Sequence, residues 1–236
     1  MATRWCDVVV DAVDPAALGR FWSALLEQPI TGESADEVDV ALSGRMELVF
    51  GAVPEPKVVK DRVHLDLASS SSEDQADIVA RALDLGAKKV DIGQGDVPWV
   101  VLADPEGNEF CVLEQRDEYA HTGLVAAVVV DSSDPVAQAA FWAGVVGLPV
   151  TGEHADFASL SQEAGPSLEF VRVAEPKTVK NRIHLDLAPP ADGDLLMEVA
   201  RLEAWGAVRA DVGQIDVPWV VLADPEGNEF CVLTPR

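Results

Sequence analysis

Short apolar runs of period two alternate along the chain with longer apolar stripes of period 3.6, and their order repeats. Residues 6–13 (CDVVVDAV) are β-branched and stop at Asp14-Pro15, which predicts a strand. Asp14 suits a helix N-cap and Pro15 the first helical position. Leu18, Phe21, Trp22, Leu25 and Leu26 then fall on one stripe, predicting a helix over 15–27. Three strands follow at 28–31, 37–42 and 46–53, punctuated by turn signals at Thr31-Gly32 and Ser43-Gly44. Pro54 to Lys57 breaks the pattern, and the order then restarts. Residues 62–67 (RVHLDL) predict a strand. Residues 73–85 predict a helix with Ile78, Val79, Ala82 and Leu83 inward, closed by Gly86. Strands follow at 88–92, 99–103 and 109–113, the last two joined by a hairpin at Asp104–Asn108 (DPEGN). The pattern is βαβββ, twice.

All of this occurs again. Residues 5–116 align with 125–236 without a gap, and 57 of the 112 pairs are identical. The run DVPWVVLADPEGNEFCVL recurs unchanged at 96–113 and 216–233. A period this long exceeds the roughly 20–50 residues of solenoid repeats, so it marks a duplicated domain. The predicted organisation is one domain at 1–116, a short and mostly polar linker at 117–124 (DEYAHTGL), and a second domain at 125–236. The two domains are expected to lie side by side.

Composition narrows the partners. Forty-one acids against 17 bases give a formal charge of −24, which repels polyanions and excludes nucleic acid and anionic membranes as expected partners. No apolar stretch reaches the roughly 18 residues of a membrane span. Acids interrupt the N-terminal apolar run, so no signal peptide is read there and a cytoplasmic location is the default. The three cysteines, Cys6, Cys111 and Cys231, lack CxxC spacing and argue against a disulfide framework or a structural zinc site.

A strand ending in Asp-Pro, a helix bearing Phe-Trp and a late strand opening on DPEGNEF together carry a resemblance. The pieces are DPAALGRFW at 14–22, HLDLA at 64–68 and VLADPEGNEFCVL at 101–113, with counterparts at 134–142, 184–188 and 221–233. The chain resembles the vicinal oxygen chelate superfamily (glyoxalase, bleomycin-resistance and dioxygenase proteins), and within it the glyoxalase-like domains. The resemblance covers nearly the whole chain, twice. It implies an α+β fold of two tandem glyoxalase-like domains, each a pair of βαβββ modules forming an incompletely closed β-barrel around a cavity. Whether barrels close within or between copies is left open. It also implies a small-molecule ligand or substrate, bound by a monomer or homodimer.

Relatives often hold one divalent metal on their first and last strands. By that correspondence the ligand sets are Asp7, His64 and Cys111 in the first copy, and Glu169, His184 and Cys231 in the second. Ala127 stands opposite Asp7, and Val49 opposite Glu169. Neither set is the His/Glu/Gln mixture usual in the superfamily, so no cofactor is expected. The alternative is one zinc, nickel, manganese or iron ion in a metal-dependent lyase, isomerase or dioxygenase. The thiols Cys111 and Cys231 equally read as small buried hydrophobes.

Strand alternation puts Arg62, His64 and Asp66 on one face, and Arg182, His184 and Asp186 on its counterpart, with neighbours roughly 7 Å apart. Such a row could hold an anionic or carbonyl-bearing small molecule or supply an acid-base group: His64 or His184, oriented by Asp66 or Asp186. It could also be structural, with each Arg paired to a nearby acid. Glu109 and Glu229 are placed at the cavity rim beside Cys111 and Cys231. Trp99 and Trp219 are candidate aromatic walls or core residues, and Trp22 and Trp142 belong to the core.

Overall fold

The computed structural model describes residues 3–44 and 46–236. The first copy comprises β1 (Arg4–Ala12), α1 (Pro15–Leu26), β2 (Ile30–Glu33), β3 (Glu37–Ser43) and β4 (Met46–Ala52). Its second module comprises β5 (Val63–Leu67), α2 (Ser72–Asp84), β6 (Lys88–Lys89), β7 (Val100–Ala103) and β8 (Glu109–Val112). The second copy repeats this with β9 (Val125–Ser132), α3 (Pro135–Val146), β10 (Val150–His154), β11 (Phe157–Leu160) and β12 (Ser167–Arg172). It ends with β13 (Ile183–Ala188), α4 (Leu195–Trp205), β14 (Val208–Arg209), β15 (Val220–Ala223) and β16 (Glu229–Val232). No helix among the described residues is long and apolar enough to cross a membrane.

The local signals act as their chemistry dictates. Asp14 accepts the Ala17 N–H at 2.9 Å and Pro15 starts α1, while Ser71 accepts the Asp74 N–H at 3.1 Å to start α2. Gly86 follows α2 with φ +109°, where a side chain would be strained. Three expectations are corrected. Thr31-Gly32 is not a turn but part of β2, at a register shift between Ile30 and Gly32. The strand expected at 88–92 stops after Lys89, because Gly93 and Gly95 take positive φ and Asp91 caps the Gly93 N–H at 2.8 Å. Leu83 is 38% exposed, at the edge of the stripe formed by Ile78, Val79 and Ala82.

The strands form two eight-stranded sheets, and neither contains a whole copy. The first runs β14-β15-β16-β13-β1-β4-β3-β2 and the second β10-β11-β12-β9-β5-β8-β7-β6. Each joins the first module of one copy to the second module of the other. The seams are antiparallel: Asp7 faces Asp186 and Val9 faces His184 in the first sheet, while Asp66 faces Ala127 and His64 faces Val129 in the second. The sheets do not close into barrels.

Within a copy, the modules meet through helices instead. Leu18, Phe21, Trp22 and Leu25 of α1 join Val8, Val10, Leu48 and Phe50 of the first sheet in one core. Trp22 also packs edge-on against Phe110 of the second sheet, with centroids 5.0 Å apart, and its indole N–H donates to Asp104 Oδ2 at 3.2 Å. Phe50, Phe110, Phe170 and Phe230 are fully buried, each worth roughly 1.5–3 kcal/mol of transfer free energy. Arg182 clamps the crossing by donating to the carbonyls of Asp11 (2.5 Å) and Glu55 (2.8 Å) and to Glu106 Oε2 (3.0 Å). Arg62 does the same toward the carbonyls of Asp131 and Glu175, both at 2.6 Å.

Candidate functional site

The helices and core occupy one face of each sheet, so alternation sends every second strand residue to the opposite, helix-free face. On the first sheet that face carries Asp7, Val9 and Asp11 of β1. Beside them stand His184 and Asp186 of β13, then Cys231 of β16. On the other flank lie Glu47 and Val49 of β4, and Asp39 of β3. On the second sheet the equivalent face carries His64, Asp66, Cys111, Ala127, Val129, Ser167 and Glu169. The candidate ligand sets are thereby regrouped. Asp7 belongs with His184 and Cys231, and Glu169 with His64 and Cys111, because the modules pair across copies. Neither set assigned within a copy is assembled.

Each face holds one tight group: His64, Asp66 and Cys111, and His184, Asp186 and Cys231, with ligating atoms within 4.8 Å of one another. His64 Nε2 lies 3.4 Å from Asp66 Oδ1, and His184 Nε2 lies 3.5 Å from Asp186 Oδ1. Both carboxylate oxygens are buried and make no hydrogen bond. Burial opposes the charge of His64, but the adjacent Asp66 carboxylate and then the Asp131 charge outweigh it and raise its pKa. Burial first, and then the neighbouring aspartate, push the Cys111 and Cys231 thiols far up, which keeps them protonated and unreactive.

The other candidates serve the framework. Glu109 accepts Lys57 Nζ at 2.7 Å and the Asp61 N–H at 3.0 Å; burial works against its charge, but Lys57 prevails and its pKa falls. Glu229 accepts Lys177 Nζ at 2.6 Å and the Asn181 N–H at 3.1 Å. Arg62 and Arg182 are not paired to Asp66 or Asp186; both are committed to the crossing. Trp99 lies half-buried under the Arg116 guanidinium, 5.9 Å from the ring centroid, and Trp219 donates to Gln214 at 2.8 Å. Trp22 and Trp142 are core residues.

The two faces differ in what covers them. In the second sheet, Tyr119 from the 117–124 segment packs with Val101, Cys111, Leu113 and Ala126, with Trp99 against the cluster. Its hydroxyl donates to Glu169 Oε1 at 2.9 Å, and burial raises the Glu169 carboxyl to about 7. Val101, Leu113, Val129 and Glu169 are all buried there. Their counterparts in the first sheet, Val221, Leu233, Val9 and Val49, are only half-buried. A cavity of about 1040 Å³ reaches this more open face. It is lined by the 53–62 and 173–182 segments, Asp11, His184, Val221 and Cys231; His64 is not among its walls.

Sequence reasoning missed Tyr119, Asp39, Glu47 and Arg236. Tyr119 is the one tyrosine in the chain and sits in a polar segment, an isolation that was the available signal. Arg236 pairs with Asp7, which also accepts the Glu47 N–H at 3.2 Å. Burial raises Asp7 despite that guanidinium, and burial followed by neighbouring carboxylates raises Glu37 and Asp39.

A divalent ion shared between modules would need donors on both sides of a seam. In the first sheet the one such donor at the expected first-strand position, Asp7, already holds Arg236. In the second, Ala127 offers none, and Glu169 holds Tyr119. The residues present do not fit a metal bridging the modules.

Comparison with known proteins agrees with the duplication. The family described as "Glyoxalase-like domain" matches residues 7–113 and again 127–233. No curated protein matches. Among solved structures, glyoxalase I from Zea mays superposes with a TM-score of 0.65 at 12% identity, covering 99% of this chain and 92% of that one. A protein of Bacillus subtilis subsp. subtilis str. 168, provisionally named a dioxygenase, superposes with a TM-score of 0.67 at 13% identity, covering 99% and 86%. At these identities the likeness is one of fold.

Proposed function

The chain belongs to the glyoxalase-like domain family, once in each copy, and on that premise we propose that it binds a small organic molecule in one working groove per chain, on the helix-free face of the first sheet, without a bridging metal. The observation that carries this reading is the unequal cover of two otherwise repeated faces. One is filled by Tyr119; the other is half-open and continuous with a cavity of about 1040 Å³ that ends on His184. Pockets of this volume suit small ligands. Both copies build the groove, since Asp7, Val9 and Val49 come from the first copy and His184, Asp186 and Cys231 from the second.

His184 is the group equipped to exchange a proton with a bound molecule, and Asp186 is placed to hold its imidazole in one orientation. Cys231 supplies bulk rather than a nucleophile. No step is derived through a metal. Titration of the labelled protein with a fragment library tests the reading. Amide shifts gathering on Val9, His184 and Val221 are expected. Shifts gathering on Val129 and His64 instead, or on neither face, would refute it.

A second reading, a metal-dependent lyase, isomerase or dioxygenase, draws on the convergence of His184, Asp186 and Cys231 within 4.8 Å. Elemental analysis of untagged protein discriminates the two: stoichiometric zinc, nickel, manganese or iron would favour the second.

A further inference from the structure

The duplication supplies an internal view of an occupied groove. In the second sheet an aromatic ring covers Val101, Cys111 and Leu113, beside Trp99. The corresponding surface of the first sheet is built from the same residue types in the same order: Val221, Cys231 and Leu233, beside Trp219. No ring among the described residues covers it. Leu113 is 2% exposed and Val101 3%, whereas Leu233 and Val221 are both half-buried. Arg236, the counterpart of Arg116, is exposed and lies along Asp7, leaving Leu233 uncovered.

We propose that the first-sheet groove takes a small molecule with an aromatic ring, seated on Val221, Cys231 and Leu233 as the Tyr119 ring is seated on Val101, Cys111 and Leu113. This rests on the binding reading above and adds the ligand class. Of the positions at which the pocket differs from its sister, one meets the end of the ring. Tyr119 ends on the Glu169 carboxyl, but the first sheet has Val49 there. The far edge of the ring therefore meets an apolar side chain, and the ligand's polar substituents belong on the flank that passes over β13, where His184 and Asp186 stand between the seat and Val49. Trp219 stands where Trp99 stands, so an aromatic ring gains edge or face contact that a saturated ring of equal size does not.

The probe is p-cresol, the Tyr side chain as a free molecule, compared with 4-methylcyclohexanol by amide-shift titration of the full chain. Wild-type protein is expected to bind one p-cresol, with shifts on Val9, Val221 and Leu233, and to hold 4-methylcyclohexanol about three- to tenfold more weakly. Val49→Gln supplies the missing hydroxyl acceptor without adding charge to a face that already carries Asp7, Asp39 and Glu47, and should tighten p-cresol several-fold. Tyr119→Gly should open the second groove, so that two equivalents bind and Val101, Leu113 and Val129 also shift. Should that variant not fold, Val49→Gln and the wild-type comparison decide alone. Equal binding of both probes in the first groove overturns the aromatic assignment and leaves the binding reading standing. Absence of p-cresol shifts on Val221 and Leu233 overturns it as well. If the fragment library is silent there too, both readings fail.

Discussion

Glu169 offers the sharpest energetic test of the filled groove. Its side chain is buried on the second sheet, its partner is the Tyr119 hydroxyl at 2.9 Å, and burial moves its carboxyl from 4.5 to about 7. An acid that holds its proton more tightly when folded destabilises the fold as pH rises, because the native state must then ionise a group that the unfolded chain ionises cheaply. The loss begins above about pH 4.5 and is complete once pH passes about 7. At about 1.36 kcal/mol per tenfold change in proton affinity, it reaches about 3 kcal/mol. Glu169→Gln removes the ionisation and keeps an oxygen that can accept from Tyr119. Urea unfolding of wild type and variant at pH 5 and pH 8 measures the difference. The two should be within about 1 kcal/mol at pH 5, and the variant should be more stable by about 2–3 kcal/mol at pH 8. Taking the difference matters, because burial also lifts Asp61 to about 7 against the opposing charge of Lys57. A wild-type pH profile alone would mix the two. A difference that stays flat between pH 5 and pH 8 would show that Glu169 is not the buried carboxyl described here.

The first copy made alone should sediment as a dimer, since β1 and β5 each lose a seam partner and a second molecule can supply both; a folded monomer would contradict the cross-copy sheets. Gly144→Ala should cost about 1–3 kcal/mol by thermal melting, because a Cβ there meets the Trp205 ring at 2.3 Å; an unchanged melting point would mean the ring swings away freely. Trp22→Phe should destabilise by about 1–3 kcal/mol in urea, and Trp142→Phe by less, since Asp104 Oδ2 then keeps only the Asn108 side chain as donor whereas Asp224 Oδ2 keeps both Asn228 and Gln138; equal losses would refute the role given to these hydrogen bonds.

What the sequence made legible was local. The Asp14-Pro15 cap, the Leu18–Leu26 stripe and the DPEGN hairpin each lie within a few residues of what they organise, and the βαβββ order followed from them. The family resemblance rested on the same short pieces. The pairing of modules was not legible, for a physical reason. β5 reads VHLDL and β13 reads IHLDL, so β1 meets nearly the same edge in either copy and no side chain selects between them. The arginine clamps are equivalent as well, Arg182 on the Asp11 and Glu55 carbonyls and Arg62 on the Asp131 and Glu175 carbonyls, so they hold the seams without choosing between copies. The candidate ligands are regrouped across copies for this reason. Tyr119 was hidden differently. A lone aromatic in a polar segment has no periodicity, and only the fold shows that it lands on an apolar patch.

The two halves of the repeat differ unequally, and the cross-copy sheets explain what that does. Between second modules (62–116 against 182–236), 34 of 55 pairs are identical; between first modules (5–53 against 125–173), only 18 of 49 are. Each groove takes one module of each kind. Both therefore receive the same His, Asp, Cys and Trp from a second module, and differ almost wholly in what the first module brings. The first sheet receives Asp7, Asp39, Glu47 and Val49; the second receives Ala127, Ser159, Ser167 and Glu169. Three carboxylates become one at these positions, and the one that remains, raised to about 7 by burial, accepts the Tyr119 hydroxyl. A groove stripped of charge can be closed by an apolar ring, since a buried charge without a partner would cost far more than the ring contributes. The groove that keeps its carboxylates is the more open of the two, with Val9, Val49, Val221 and Leu233 half-buried. Joining the copies in one chain thus allowed two equivalent faces to take separate roles, one closed on the protein's own Tyr119 and one left facing a cavity.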